Sequence, residues 1–171
     1  MAQEEKSGAN EGTGEVAGAL FHDNDHEFAE LVPTSRRWAK IDGGGPFPDL
    51  VGPMFVTFDD LDPGEPARIG LRLLRKHCNG VHVAHGGMLG TMLDGAFAQC
   101  LLASLDVDWN VPTINLVTDY LAPAFENEWL DTRIKLVHST RRMAFLSGQI
   151  FAEDRPIIRG QAIFKITARQ S

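Results

Sequence analysis

Asp94 is the only charged side chain between His85 and Asp106. A carboxylate alone in an apolar stretch costs free energy, so it needs a partner or a chemical task. Nine residues before it stands His85, followed directly by Gly86 and Gly87, and Asn79 lies six residues before the histidine. Paired glycines let the backbone approach a ligand with no Cβ in the way. If they open a helix, the unpaired N–H groups of its first turn lie at the positive end of the helix dipole and can hold an oxyanion. Along one helix the glycines and Asp94 are about 10 Å apart at 1.5 Å per residue, too far to act on the same carbonyl. A second copy of the helix, from a partner subunit, closes that gap. The spacing therefore points to a site shared between subunits.

The elements that position these groups follow from periodicity and turn residues. Gly87 to about Leu105 reads as one long helix, apolar nearly all round, preceded by a loop over Asn79 to Gly87. Before it come strand candidates at Met54 to Phe58 and at Ala67 to His77. The second places Ile69, Leu71 and Leu73 on one face and Arg68, Arg72 and Lys76 on the other. After it come four strands, at about Thr113 to Leu121, Trp129 to His138, Met143 to Ala152 and Ile157 to Ala168, joined by short turns. The order strand, strand, helix, then four strands argues for an antiparallel sheet. A helix lying on a flat surface keeps a polar stripe toward water. This one is better placed inside a curved sheet, with its remaining face covered by a second copy.

Charge is unevenly distributed. Residues 1–30 hold eight acids and one base, which accounts for the whole net charge of −7; the remainder has 15 acids and 15 Lys or Arg. A neutral body offers no field for nucleic acid. The first residues are polar and acidic, unlike a signal peptide. Residues 1–25 read as a disordered acidic tail. Residues 26–53 read as an extension, with a short helix over His26 to Lys40 and a Gly/Pro loop from Asp42 to Pro53. Two cysteines are too few for a disulfide framework, and Cys100 reads as core. The span Met88 to Leu105 approaches membrane-crossing length, but it holds Gly, Gln, Ser and Asp and lacks basic flanks. A cytoplasmic protein without membrane contact is the expectation. His77, Cys78, His82 and His85 do not have zinc-site spacing, so no metal is expected.

The pattern Asn79-x5-His85-Gly86-Gly87-x6-Asp94, followed by Thr113 and by Tyr120-Leu121-Ala122-Pro123-Ala124, resembles the hotdog-fold acyl-CoA thioesterases of the PaaI-like, phenylacetic-acid-degradation type. The resemblance covers roughly Gly52 to Ala168. It implies an α+β hotdog fold over residues 54–171, a curved antiparallel sheet of five to six strands wrapped around one long central helix. It also implies a homodimer or a dimer of dimers, and hydrolysis of an acyl- or aryl-CoA thioester with no further cofactor. Asp94 would activate water or attack the carbonyl. The Gly86 or Gly87 N–H of the other subunit would polarise that carbonyl. Asn79 would position carbonyl or water, His85 would orient the loop and support the thiolate end, and Thr113 would stand near the attacking water. A thiolate leaves readily, so one carboxylate without a Ser-His-Asp triad suits the reaction.

Between Thr132 and Ala152 there are no acids, while Arg133, Lys135, His138, Arg141 and Arg142 fall within ten residues. Arg141-Arg142 resembles the basic turn where this family meets the nucleotide phosphates of coenzyme A, and His138 lies beside it. The family commonly has Gly before that pair; here it is Thr140. Two rival functions share the fold: a hydratase or dehydratase of acyl thioesters, which pairs a His with an acid, and a non-catalytic acyl-CoA-binding protein. The Asn79 and Gly86-Gly87 pattern argues against the first, and an intact Asp94 against the second.

Overall fold

The computed structural model describes residues 15–16, 19–22, 28–42, 45–105 and 109–168. Its elements are β1 (Glu15–Val16), β2 (Ala19–His22), β3 (Ala39–Ile41), α1 (Pro46–Val51), β4 (Phe55–Thr57) and β5 (Arg68–Arg72). A 3₁₀ turn (Arg75–His77) and α2 (Gly86–Ala103) follow. The chain ends with β6 (Trp109–Asn110), β7 (Thr113–Tyr120), β8 (Trp129–Ser139), β9 (Met143–Ala152), β10 (Arg155–Lys165) and β11 (Thr167–Ala168). One antiparallel sheet runs β1-β2-β3-β4-β5-β8-β9-β10-β7, and β6 pairs with β11.

The long helix against an antiparallel sheet is the expected architecture. α2 buries Leu89, Met92, Leu93, Ala96, Phe97, Cys100 and Leu101. It touches β5, β7, β8, β9 and β10, so the sheet curves around it. Burial pushes the Cys100 thiol up to about 12, and its Sγ lies 3.3 Å from the Ala67 carbonyl oxygen, which makes it an inert core residue. The opposite helix face carries Gly87, Thr91, Asp94, Gly95 and Ala98, spaced four, three, one and three residues apart and none fully buried. Among the described residues, no helix is long and apolar enough to cross a membrane.

The N-terminal extension departs from expectation. The sheet exceeds five to six strands because β3 pairs with β4 (Ala39↔Val56) and carries β2 and β1 beyond it. These strands are two to four residues long, too short for alternation to show. The helix expected over His26 to Lys40 is replaced, where described, by a turn and β3, with Pro33 between them. The short helix forms instead at Pro46–Val51, inside the expected loop. Its prolines lie in the first turn, where a missing N–H is no loss, and Gly45 precedes it at φ 94. The expected tail, residues 1–25, falls largely outside the described residues.

The extension also changes the outer face of the sheet. Trp38 packs edge-on to Trp129 at 4.9 Å, and Phe28 to Phe55 at 5.9 Å. Gly70 makes room, since a Cβ there would lie 2.1 Å from the Trp129 ring. Arg68, on the face opposite Ile69, Leu71 and Leu73, is 4% exposed. It pairs with Glu65 at 2.9 Å and Asp62 at 3.1 Å. β5 itself stops at Arg72, short of the expected His77.

Candidate active site

The predicted catalytic residues fall into two groups, one at the middle and one at the start of α2, with no hydrogen bond between them among the described residues. The first is Asp94 with Thr113. Asp94 is half-buried on the helix face away from the sheet, and Thr113 Oγ1 donates to its Oδ1 at 2.9 Å. Thr113 opens β7, the edge strand. A cavity of about 520 Å³ begins at Asp94 and is walled by Thr91, Gly95 and Ala98 of α2 and by Phe47, Pro48 and Val51 of α1.

The second group is the helix start. His85 is the N-cap, and its Nδ1 accepts the Gly87 N–H at 3.0 Å. The imidazole therefore carries its proton on Nε2 in this arrangement. The Gly87 N–H was expected to point free at a ligand; here it is capped, because His85 offers an acceptor two residues away. Tyr120 Oη donates to the Gly86 carbonyl oxygen at 3.0 Å. Asn79 shapes the approach loop: its Oδ1 accepts the N–H of Val81 at 3.0 Å and of Val83 at 3.2 Å. A bridge between Cys78 and Ala84 closes that loop on itself, and one between Val83 and Phe125 ties it to the neighbouring turn. The other histidines are engaged elsewhere. His77 is buried with Nδ1 accepting from the Leu74 N–H, and His82 lies 3.0 Å from Glu126.

Arg141 and Arg142 are exposed on the β8–β9 turn, and His138 is exposed on β8 beside Phe145. Thr140 closes this turn, its Oγ1 accepting from the N–H of Met143 at 3.0 Å and of Arg142 at 3.3 Å. The Thr140 hydroxyl thus closes the turn before the basic pair. None of these three residues contacts Asp94 or the helix start within one chain.

A larger hollow, about 1110 Å³, lies on the outer sheet face between Arg36, Trp38, Asp131 and Arg155. None of the residues picked from sequence lines it. The 520 Å³ cavity is the one that adjoins Asp94, and its size is that of a small-molecule site.

Residues 82–158, which contain the helix start, Asp94, β7 and the basic turn, match the model of the Thioesterase superfamily. The matched segment, somewhat less than half of the chain, is thus similar to the Thioesterase superfamily, and the fold that contains it is the hotdog fold. It is 28% identical over 121 residues to a Pseudomonas aeruginosa protein provisionally named an esterase, covering 71% of this chain and 88% of that protein. A mutant of the phenylacetic acid degradation protein PaaI from Thermus thermophilus superposes with TM-score 0.59 at 23% identity, over 71% of this chain and 98% of that one. A hypothetical thioesterase of Streptococcus pneumoniae, solved with coenzyme A, superposes with TM-score 0.58 at 18% identity, over 69% and 91% of the two chains. These two likenesses establish the fold of the hotdog domain. The family match begins at residue 82, so α1 and the 520 Å³ cavity wall it provides lie outside it.

Sequence reasoning missed two contributors. One is α1, hidden in a segment with Gly and Pro at more than half its positions between 43 and 48. The other is the contact made by Tyr120, the sole tyrosine of the chain, which stands in the sequence pattern quoted above but had no task assigned to it.

Proposed function

We propose that the protein hydrolyses acyl-CoA thioesters, with Asp94 as the catalytic carboxylate. The observation that carries this reading is Asp94 itself, half-buried, oriented by Thr113 and opening onto a mainly apolar cavity. Thr113 holds one carboxylate oxygen. The other takes a proton from water as it adds to the thioester carbon, or the carboxylate adds directly. Either addition places negative charge on the carbonyl oxygen, which N–H donors aimed at it stabilise. The thiolate then leaves: in the water route it takes up the proton that Asp94 removed from water, and after direct attack it leaves an Asp94 anhydride that a water molecule hydrolyses to the free acid. Gly86 and Gly87 stand about 10 Å from Asp94 along their own helix. The donors for one Asp94 therefore come from a second copy, whose α2 lies along the small-residue face that Gly87, Thr91, Asp94, Gly95 and Ala98 present.

The acyl group fits the 520 Å³ cavity under α1. Its wall is chiefly apolar, and its two lysines are engaged: Lys40 with Asp42 at 2.8 Å and Lys76 with the Leu50 carbonyl at 3.0 Å. An uncharged acyl chain or ring suits it better than a dicarboxylic one. Acetyl, worth about two water volumes at about 30 Å³ each, leaves most of it empty. Coenzyme A as carrier is supported by the Streptococcus pneumoniae protein solved with it. The exposed Arg141-Arg142 turn is the proposed contact for its phosphates.

The test is free-thiol release from acetyl-, phenylacetyl- and octanoyl-CoA by the purified protein. Hydrolysis with kcat/KM higher for the two bulky substrates is the expected result. No thiol release from any of the three would overturn the reading.

A further inference from the structure

We propose that Tyr120 is a positioning residue that aims the Gly86–Gly87 peptide at the thioester oxygen; this rests on the thioesterase reading above. The Gly86 carbonyl and the Gly87 N–H are the two ends of one peptide unit, and a planar peptide moves as one body. Tyr120 Oη donates to the carbonyl end at 3.0 Å, while His85 Nδ1 accepts from the N–H end at 3.0 Å. The unit is therefore held at both ends. A hydrogen bond at the oxygen polarises the amide and strengthens its N–H as a donor.

The tyrosine ring lies flush against the first turn of α2. A Cβ added at Gly86 would come 3.4 Å from the ring, and one added at Gly90 would come 3.6 Å from the hydroxyl. The brace is anchored in the sheet, since Tyr120 pairs with Ile158, and the next residue, Leu121, donates its N–H to the Ile157 carbonyl at 2.8 Å. The same strand carries Thr113. Phe164 pairs with Thr113 and Ile163 with Asn115, so Ile114 is an extra residue in β7. Such a bulge reverses the alternation beyond it. It brings Thr113 and Tyr120, seven residues apart, onto the face that meets α2. One edge strand thus sets both halves of the site: Thr113 orients the carboxylate, and Tyr120 orients the oxyanion donor. His85 occupies the Gly87 N–H in the free protein and gives it up to the more strongly accepting oxyanion.

Tyr120→Phe keeps the ring and removes the hydroxyl. The expected result is a fall in kcat of about tenfold with KM unchanged within about twofold, the signature of an interaction that acts in the transition state. The Gly87 amide resonance should move in the variant, because its own peptide carbonyl has lost a donor. If the wild type is active and Tyr120→Phe keeps full kcat, or loses only KM, the positioning role is overturned and the thioesterase reading stands. If the wild type releases no thiol from any acyl-CoA, the functional reading falls and takes this role with it.

Discussion

Asp94 and Asp131 are half-buried carboxylates treated in opposite ways. Asp94 opens onto a cavity and receives the Thr113 hydroxyl. Asp131, on the outer face of β8, has its Oδ1 buried with no hydrogen-bond partner. Burial raises its pKa, against the opposing pull of Arg68, Arg133 and Arg36, and Glu65 raises it further. The folded protein therefore keeps this proton at a pH where the unfolded chain, with an aspartate pKa of about 3.9, has lost it. Stability from this group is full below that pKa and is lost as pH rises through the folded value. Asp131→Asn cannot ionise. Its melting temperature relative to wild type should climb from about pH 4 to about pH 7, read by thermal melts across that range; a difference that shrinks with pH would contradict the assignment.

At the scale of elements, α2 and the sheet meet closely because small residues let them. Gly160 of β10 faces Leu93 of α2 and lies directly across from Gly148 of β9. A Cβ at Gly160 would come 2.8 Å from Leu93 Cδ2 and 2.8 Å from the Val117 backbone oxygen. The side chain can swing aside; the backbone of β7 cannot. Gly160→Ala should therefore destabilise the protein by about 1–3 kcal/mol, seen as a lower denaturation midpoint, while an unchanged midpoint would mean that the helix does not press on this strand. Legibility in the sequence follows the same physics. α2, β8 and β9 were readable within a residue or two, because their lengths and alternation are set by a core on one side. β3 and α1 were not, since three- and six-residue elements carry too few periods and α1 sits among glycines and prolines. The bulge at Ile114 was also invisible, and with it the reason that Thr113 and Tyr120 share a face. The Asp94–Thr113 pair was legible only through spacing that resembles a family; nothing in their separation of 19 residues requires contact.

For the molecule as a whole, the proposed site divides into two halves along one helix. Asp94 with its cavity lies mid-helix, and the helix start with His85, Gly86, Gly87 and Tyr120 lies about two turns away. A second copy against the exposed face of α2 would pair each carboxylate with the other chain's donors. The N-terminal extension serves the outer and inner faces in different ways. Residues 28–41 seal the outer face around Trp38, Phe55 and Trp129, and α1 then returns to wall the cavity beside Asp94. Acyl selectivity would therefore reside in a segment outside the matched family region, while the proposed catalytic carboxylate and oxyanion donors lie within it. The central claim is that Asp94 performs the hydrolysis, and the most direct measurement is thiol release by Asp94→Asn beside wild type on the best acyl-CoA of the panel. The variant should keep the wild-type melting temperature and lose at least about 100-fold in kcat; a folded Asp94→Asn that turns over at the wild-type rate would contradict it.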